Sequence, residues 1–318
     1  MRGIWLEDGK AAVRDDLPEP RPARDDDCVI RVAKAGICST DLAMIAGLYP
    51  FRGVMGHEFV GRVETGPAGW VGKRVVGEIN VACGACERCR AGLEKHCGRR
   101  TTLGIHDRDG VFAERVVLPA ANLHAVPDGV ADEVAVFAEP LAAALEIFER
   151  ADIRPEHRVL LVGAGKLGQL IARVLARRCP DLTVIVRSPA KAARLESIGA
   201  RTVRADEISG EVFDVAVECT GNERGLELAL AALRPQGTLV LKSTFPGQAR
   251  VDLTRIVVEE ITVVGSRCGP FDKALALMAE GGLALAPLID ARYPVAEGLT
   301  ALEKSCAPGI LKVLLENH

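Results

Sequence analysis

Long apolar runs are absent from this 318-residue sequence, and none reaches the roughly 18 residues that a membrane-spanning helix needs. The opening residues, MRGIWLEDGKAAVRDD, also lack an apolar stretch of signal-peptide length. Positive charge is not in excess, because 40 Lys and Arg residues stand against 43 Asp and Glu residues. We therefore expect a cytoplasmic protein with no membrane partner and no nucleic-acid partner.

Aromatic residues are scarce at 4% of the chain, so the core must be mainly aliphatic. Internal repeats and low-complexity tracts are missing as well. A chain of 318 residues is long enough for two domains, each with its own core.

Cysteine, in contrast, is concentrated in the stretch CGACERCRAGLEKHC, where Cys83, Cys86, Cys89 and Cys97 follow the spacing C-x2-C-x2-C-x7-C. A disulfide knot, a redox pair and a metal site are the three possible explanations. A reducing compartment disfavours disulfides, and a single redox pair does not account for all four residues. Four converging thiolates form a closed tetrahedral set, which predicts a structural zinc ion.

Cationic residues that could balance the negative charge of such a site lie close to it in the sequence. Four thiolates and one Zn²⁺ sum to −2, and five cationic residues lie within or just beyond the loop: Arg88, Arg90, Lys95, Arg99 and Arg100. We expect these residues to offset the charge of the thiolates.

A second group of metal-ligand residue types is spread along the chain. Cys38 lies in GICSTD, His57 and Glu58 lie in GHEFVGRV, and Glu139 lies in the apolar stretch VFAEPLAAALEIF. An ionised carboxylate in an apolar stretch is costly unless something compensates its charge. Taken singly, His57 could be a core histidine and Glu139 could face solvent from a helix edge.

A glycine-rich turn follows the apolar segment HRVLLV. Gly163, Gly165 and Gly168 fit the pattern G-x-G-x-x-G, with Lys166 and Leu167 between the last two glycines. This pattern between a strand and a helix lets the backbone approach a pyrophosphate at the helix N-terminus. The later segments LTVIV, FDVAVECTG and GTLVLKS predict further strands between helices, which indicates a doubly wound parallel sheet.

The residues after the strand LTVIV bear on the choice between NAD and NADP. No acidic residue stands at the end of this strand to accept hydrogen bonds from the ribose hydroxyls, and Arg187 and Ser188 follow it instead. Both side chains could bind a 2′-phosphate, so we favour NADP. The alternative is a helix capped by Ser188 and opened by Pro189, with solvated cations around it.

In their order along the chain, these motifs resemble those of the zinc-dependent medium-chain alcohol and polyol dehydrogenases. Glu139 followed by Pro140 is similar to the sorbitol and glucose dehydrogenase branch. The resemblance implies an α/β protein with a GroES-like β-barrel catalytic domain at 1–139, completed by 287–318. A Rossmann domain, a doubly wound parallel sheet that binds the cofactor, would occupy 140–286.

The same resemblance assigns roles to the scattered residues. It implies that Cys38, His57 and Glu139 bind a catalytic zinc ion and that Glu58 can approach this metal, while the four-cysteine loop holds a second, structural zinc. Hydride would then pass between the hydroxyl of an alcohol, polyol or sugar and NAD(P), with a zinc-bound alkoxide as the reactive species. Thr40 would take the substrate proton.

Further roles follow from the family pattern. Asp41 would orient His57, although the sequence STD also suits the start of a helix. Many relatives have a histidine proton relay where this chain has Ala43, and His106 is a weak substitute for it. Lys312, in a predicted closing strand, would lie near the cofactor phosphates, and the alternative is a solvated lysine on that strand.

The substrate pocket and the assembly are less constrained. The family arrangement would place six residues in the pocket wall: Tyr49, Phe51, Ile79, Asn80, Phe112 and Glu114. Relatives pair through the sheet edge of the cofactor domain, so we expect a homodimer or homotetramer. Two non-catalytic alternatives remain, namely a zinc-stabilised dinucleotide sensor and a protein that uses its zinc loop to bind a partner.

Overall fold

The computed structural model describes residues 1–48, 50–208, 210, 212–244 and 247–317. The chain divides into two compact units, the first made of Met1–Glu139 and Phe271–His318 and the second of Pro140–Pro270. The second unit is therefore inserted into the sequence of the first. The chain returns to the first unit at 271, earlier than the expected 287, because the helix Phe271–Glu280 packs there against Asp132–Ala135.

The strands of both units, in chain order, are β1 (Gly3–Glu7), β2 (Lys10–Arg14), β3 (Asp27–Gly36), β4 (Gly53–Val54), β5 (Glu58–Thr65), β6 (Arg74–Gly77), β7 (Asn80–Val81), β8 (Thr101–Thr102), β9 (Arg115–Pro119), β10 (Leu123–Ala125), β11 (Val159–Val162), β12 (Leu182–Ile185), β13 (Arg201–Val203), β14 (Phe213–Glu218), β15 (Leu233–Leu241), β16 (Thr262–Gly265), β17 (Ile289–Pro294) and β18 (Lys312–Glu316).

The α-helices are α1 (Ser39–Ile45), α2 (Glu87–Arg90), α3 (Asp132–Ala135), α4 (Ala138–Arg150), α5 (Lys166–Ala176), α6 (Pro189–Glu196), α7 (Glu223–Ala231), α8 (Leu253–Val258), α9 (Phe271–Glu280) and α10 (Gly298–Cys306). Short 3₁₀ helices lie at Glu94–His96, Ala120–Asn122, Ala205–Ile208, Ala286–Leu288 and Val295–Glu297.

The first unit is built mainly from antiparallel strands. Its largest sheet has the order β10-β6-β5-β3-β18-β17, with β9 also paired to β3, and smaller sheets have the orders β2-β1-β4 and β7-β8. The long strand β3 shows a partly alternating burial pattern, because one face packs on the core while part of the other meets solvent. The predicted strand EFVGRVE is confirmed as β5, and the predicted closing strand is confirmed as β18.

The second unit is a six-stranded parallel sheet with the order β13-β12-β11-β14-β15-β16. Numbered within the unit this order is 3-2-1-4-5-6, which is typical of dinucleotide-binding sheets. All four residues of β11 and all four of β12 are buried, since helices cover both faces of a parallel sheet. The doubly wound parallel sheet predicted from the sequence is confirmed.

In the part of the chain that the structure describes, every helix is too short or too polar to cross a lipid bilayer.

Candidate active site

Helix α1 positions the first residue of the site. The helix begins directly after Cys38, and the Asp41 carboxylate accepts a hydrogen bond from the backbone N–H of Cys38 at 2.8 Å (N to Oδ2). An acidic residue in the first helical turn satisfies a backbone N–H that otherwise lacks a partner. Thr40 lies inside the helix rather than at its cap, and its Oγ1 is 3.8 Å from the Cys38 Sγ.

Strand pairing brings His57 and Glu58 to Cys38. Strands β3 and β5 are antiparallel, and Gly36 at the end of β3 pairs with Glu58 at the start of β5. Cys38 lies two residues past this pair, and His57 precedes β5, so the two are neighbours despite their separation in sequence. The pairing of β3 with β5 therefore positions Cys38, His57 and Glu58 close to one another.

The donor atoms of Cys38, His57 and Glu58 all lie within 4.8 Å of one another, with His57 and Glu58 buried. Zinc takes sulfur, nitrogen and oxygen donors at about 2.0 to 2.3 Å, which separates donors on one ion by roughly 4 Å. The residues present therefore fit a zinc ion.

Glu139, the fourth predicted ligand, lies outside this close set. It stands in the first turn of α4, and its negative charge acts on the Lys312 ammonium. The structure thus brings three of the four predicted residues into one cluster and places Glu139 within electrostatic range of it.

Asp41 also faces the imidazole of His57. Its second carboxylate oxygen, Oδ1, lies 3.4 Å from His57 Nδ1, and the Asp41 side chain is fully buried. Burial alone would lower the pKa of His57, but the charges of Asp41 and Cys38 raise it well above 6.5. The predicted orienting role of Asp41 is consistent with this geometry, because one carboxylate contacts the backbone of one ligand and faces the ring of another.

Lys312 is buried and paired with a carboxylate. It is only 3% exposed, in β18, and its ammonium forms an ion pair with the Glu58 carboxylate. Its Nζ also lies 5.3 Å from the ring centroid of Phe137. Burial would lower the pKa of Lys312, yet the charges of Glu58, Cys38 and Glu139 raise it. The alternative of a solvated strand lysine is therefore wrong, while the position near the cofactor phosphates stays a prediction.

The sequence carried one signal for this pairing that was missed. A Cβ atom on Gly36 would collide with the Glu58 carboxylate and press on the Lys312 side chain. A glycine at the end of β3 leaves the space in which this ion pair forms. No sequence pattern predicts a contact between Glu58 and Lys312, because the two residues are 254 positions apart.

The four cysteines of the predicted structural site converge. The Sγ atom of Cys86 is 3.4 Å from that of Cys89 and 3.7 Å from that of Cys97, and Cys83 is 3.9 Å from Cys89. The four sulfurs all lie within 4.8 Å of one another, as four ligands of one ion do. The residues therefore fit a second, closed zinc site.

One of the predicted cations contacts this sulfur cluster directly. Arg99 Nη2 donates to the Cys83 Sγ at 3.3 Å. Arg88 and Arg90 instead donate to carbonyl oxygens of the loop, at 2.8 and 2.6 Å. Hydrogen bonds from the Ala85 backbone and from Arg99 lower the pKa of Cys83 to about 5, which favours the thiolate that zinc binds.

The glycine turn of the second unit joins β11 to α5. Gly163 adopts a φ of +115°, where a side chain is strained, and its Cβ would lie 2.6 Å from the Cys219 carbonyl oxygen. A Cβ on Gly168 would collide with the Gly163 carbonyl. A Cβ on Gly165 would meet nothing within 4 Å, so the turn is open at the position where a pyrophosphate approaches the backbone. Lys166 and Leu167 form the first helical residues.

Arg187 and Ser188 follow β12 as predicted. Arg187 is exposed, and Ser188 is the N-cap of α6 with Pro189 in the first turn. The Ser188 side chain makes no capping hydrogen bond. The sequence left two roles open for Arg187 and Ser188, namely the start of a helix and contact with a 2′-phosphate. The observed geometry is compatible with both.

The residues of the predicted pocket wall differ in their burial and contacts. Phe112 is fully buried beneath Gly56, and the Glu114 carboxylate accepts a hydrogen bond from the Arg2 backbone at 3.0 Å. These two residues stabilise the first unit. Ile79 and Asn80 are almost fully buried, Phe51 is half-buried, and Tyr49 lies outside the described residues. His106, the weak substitute relay, is a surface residue with its ring 3.5 Å from Asp107.

Comparison with known proteins agrees with this geometry. Residues 24–128 match the alcohol dehydrogenase GroES-like domain, and residues 165–280 match the zinc-binding dehydrogenase model. The two matches confirm the predicted pair of folds.

Two curated relatives match over most of the chain. L-threonine 3-dehydrogenase of Anaeromyxobacter dehalogenans (strain 2CP-C) is 30% identical over 319 residues, which cover 92% of this chain and 89% of the relative. L-galactonate-5-dehydrogenase of Escherichia coli (strain K12) is 30% identical over 298 residues, 86% of each chain. Neither match singles out the sorbitol-like branch.

A solved structure of a zinc-binding dehydrogenase from Sinorhizobium meliloti 1021, bound to NADP, is similar in fold. Its TM-score is 0.91 at 28% sequence identity, over 99% of both chains. By its matching models, its relatives and its motifs, this chain belongs to the family of zinc-dependent medium-chain dehydrogenases.

Proposed function

We propose that the hydroxyl-oxidising site of this dehydrogenase consists of Cys38, His57 and Glu139 as zinc ligands, with Glu58 beside them. The observation that carries the proposal is the convergence of Cys38, His57 and Glu58 within 4.8 Å. Zinc held there supplies a Lewis acid that lowers the pKa of a substrate hydroxyl and so favours hydride transfer to NAD(P).

The protein side chains then orient the ligands and move the proton. Thr40 Oγ1, next to the Cys38 sulfur, accepts the substrate proton. Asp41 holds the His57 ring, and Lys312 neutralises Glu58 so that this carboxylate does not add uncompensated charge to the site. Ala43 carries no titratable group, so the proton leaves Thr40 through the cofactor ribose or water.

Replacing Thr40 tests this assignment. We expect Thr40→Val to lower kcat by about 10² to 10⁴-fold with unchanged zinc content, and Thr40→Ser to retain most of the activity, because only the hydroxyl is needed. The measurement is steady-state kinetics beside metal analysis of each variant. Full activity of the valine variant would exclude Thr40 as the proton acceptor.

We further propose two zinc ions per chain, one in the Cys38 site and one in the four-cysteine site. Support comes from the two separate donor clusters. Metal analysis of the purified protein should give two zincs, while Cys38→Ser and Cys86→Ser should each lose one. The Cys38 variant should lose activity and keep its fold, because the open site catalyses and the closed site stabilises.

The substrate that we propose is an alcohol, polyol or sugar carrying a secondary hydroxyl. The named substrates of the two relatives, L-threonine and L-galactonate, both carry secondary hydroxyls. Activity with a panel of polyols, sugar acids, hydroxy amino acids and simple secondary alcohols tests this class. Exclusive activity with primary alcohols would contradict it.

NADP is the proposed cofactor. Arg187 is exposed at the end of β12, where a 2′-phosphate would meet it, and the similar Sinorhizobium structure holds NADP. Comparing kcat/KM for NADP and NAD tests the proposal, and Arg187→Asp should shift the ratio toward NAD. A strong NAD preference of the unaltered enzyme would refute it.

We also propose that two copies of the chain associate through the edge of the parallel sheet. Strand β16 is one of the two edge strands, and α8, which leads into it, exposes Leu253, Val257 and Val258 by 68 to 75%. An edge strand beside exposed apolar side chains is typical of a site of association.

A cytoplasmic location is the last element of the proposal. Four of the ten cysteines converge as a set of metal ligands, and zinc binds the reduced thiolate form that a reducing compartment maintains. Cell fractionation with an antibody against the chain tests it, and recovery from an oxidising compartment would contradict it.

A further inference from the structure

A cavity of about 510 Å³ lies in the first unit, and its lining contains none of the residues of the two metal clusters. It is bounded by the segment that follows β2, by β1 and β4, and by the loop 107–110. Its volume is in the range of sites that hold small organic molecules.

The floor of this cavity is apolar. Leu17 and Val54 are 4% and 1% exposed and pack with Ala113, and the Trp5 ring packs against the same cluster. Burying a hydrocarbon or aromatic group on such a floor is favourable by about 25 cal/mol per Å² of apolar surface removed from water.

The rim, in contrast, is rich in guanidinium groups. Five arginines line the cavity against three aspartates: Arg14, Arg21, Arg24, Arg108 and Arg115 against Asp27, Asp107 and Asp109. Two of the arginines are engaged elsewhere, because Arg14 pairs with Asp16 and Arg115 pairs with Glu64.

Arg108 brings a positive charge into the cavity wall. Its Nε donates to Thr101 Oγ1 at 2.9 Å and its Nη1 donates to the Val117 carbonyl at 3.3 Å, and both acceptors are neutral. Burial lowers the pKa of Arg108, and the nearby charge of Arg24 lowers it further, against the opposing effect of Asp27. The positive charges of Arg24 and Arg108 therefore repel each other at this wall of the cavity.

The nearest carboxylate is already used by the backbone. Asp27 Oδ2 accepts hydrogen bonds from the N–H groups of Ala23 and Arg24, at 2.9 and 3.0 Å. Asp109 similarly accepts from the Val54 N–H at 2.8 Å. One oxygen of each of these carboxylates is used by the backbone, and the aspartates of the lining are fewer than its arginines. An anion in the cavity would therefore supply further acceptors for the arginine side chains.

We propose that this cavity binds a small organic oxyanion with an apolar body. The oxyanion, a carboxylate or a phosphate ester, accepts charge-assisted hydrogen bonds from Arg24 and Arg108. The apolar body lies over Leu17 and Val54. The site is independent of the proposed catalytic residues.

Isothermal titration calorimetry with two probes, benzoate and phenyl phosphate, tests the proposal on the full-length, zinc-loaded protein saturated with its cofactor. Because the bound cofactor occupies the dinucleotide turn, the probes cannot bind there. We expect one site per chain for at least one probe, and the probe that binds identifies the headgroup. Benzamide, which has the shape of benzoate without its charge, should bind at least tenfold more weakly than benzoate if benzoate is the probe that binds.

Three variants locate the site. Arg24→Gln and Arg108→Gln should each weaken binding at least tenfold, while Arg204→Gln, an exposed arginine paired with Asp206 in the second unit, should leave it unchanged. Arg24 is exposed, so its replacement preserves the fold even if that of Arg108 does not. Failure of both anions to bind, equal binding of benzamide and benzoate, or unchanged binding by the Arg24 variant would overturn the proposal.

Discussion

At the scale of single residues, the carboxylate of Asp41 makes two contacts that are usually made by separate groups. One oxygen accepts the backbone N–H of Cys38 at the start of α1, and the other lies 3.4 Å from His57. The same side chain therefore contacts the start of a helix and faces the ring of a proposed metal ligand.

Asp41→Asn should weaken retention of the catalytic zinc by about 10 to 100-fold, the usual cost of losing a partner of a metal-binding histidine. Zinc remaining after dialysis against graded chelator concentrations measures this effect. The four-cysteine site is an internal control and should keep its metal. Loss of both zincs together would indicate a general loss of fold instead.

The glycines of the dinucleotide turn should separate into two classes. Gly165→Ala places its Cβ in open space, so we expect an unchanged melting temperature and at least a tenfold weaker cofactor affinity, because the methyl group occupies the approach of the pyrophosphate. Gly168→Ala collides with the Gly163 carbonyl and should lower the melting temperature.

Thermal unfolding and cofactor titration of both variants distinguish the two classes. A Gly165 variant that binds the cofactor normally would show that the pyrophosphate does not approach this position.

Residues with characteristic spacing could be predicted from the sequence, and residues defined by tertiary packing could not. The four cysteines and the three glycines of the turn form local patterns that carry their own chemistry. Lys312 has no local pattern, and its pairing with Glu58 depends on the order of strands in the sheet.

At the scale of secondary-structure elements, Asp214 connects three parallel strands. It lies in β14 and accepts hydrogen bonds from the Arg158 backbone, just before β11, at 2.8 Å and from Arg234 of β15 at 2.6 Å. Partial burial alone would raise the pKa of Asp214, but these hydrogen bonds lower it below 3.8 overall.

Asp214→Asn should therefore destabilise the protein by about 1 kcal/mol at neutral pH. Because the folded-state pKa is depressed, this stabilisation is present above the unfolded-state pKa and is lost as the pH falls through the folded-state value. Urea unfolding should show a constant difference from the unaltered protein above about pH 5 and a shrinking difference below about pH 4. Asp206→Asn, at an exposed carboxylate, is the matched control and should have little effect.

The central strands were easier to predict than the edge strands. Strands β11, β12 and β14 are apolar runs next to turn residues, which is the pattern of a sheet covered on both faces. The edge strands β13 and β16 are short, with sequences RTV and TVVG, and β16 is largely exposed, so no periodic pattern marks them. Their pairing is determined by the neighbouring strand rather than by their own sequence.

At the scale of the whole molecule, the exposed valines of α8 predict the assembly. The double variant Val257→Lys, Val258→Lys should shift a dimer toward monomer, because two ammonium groups on each copy would be buried against their counterparts. Light scattering after size-exclusion chromatography measures the mass. Val71→Lys, at a valine that is 57% exposed in the first unit, is the control. An unchanged mass of the double variant would place the interface elsewhere.

The arrangement of units was also largely predictable. A glycine turn in the middle of the chain, with metal-ligand residues before it and a closing strand after it, predicts an inserted cofactor unit. The point of return was less certain, since α9 is an amphipathic helix that would suit either unit, and only packing assigns it to the first.

The insertion gives the chain a definite order of assembly during synthesis. Glu58 leaves the ribosome long before Lys312, and the whole of the second unit emerges between them. A nascent chain can complete the parallel sheet while the first unit still lacks β17 and β18. The buried cation beside the proposed metal ligands therefore emerges only after the second unit, which delays the charge balance of the proposed site until that unit has been synthesised.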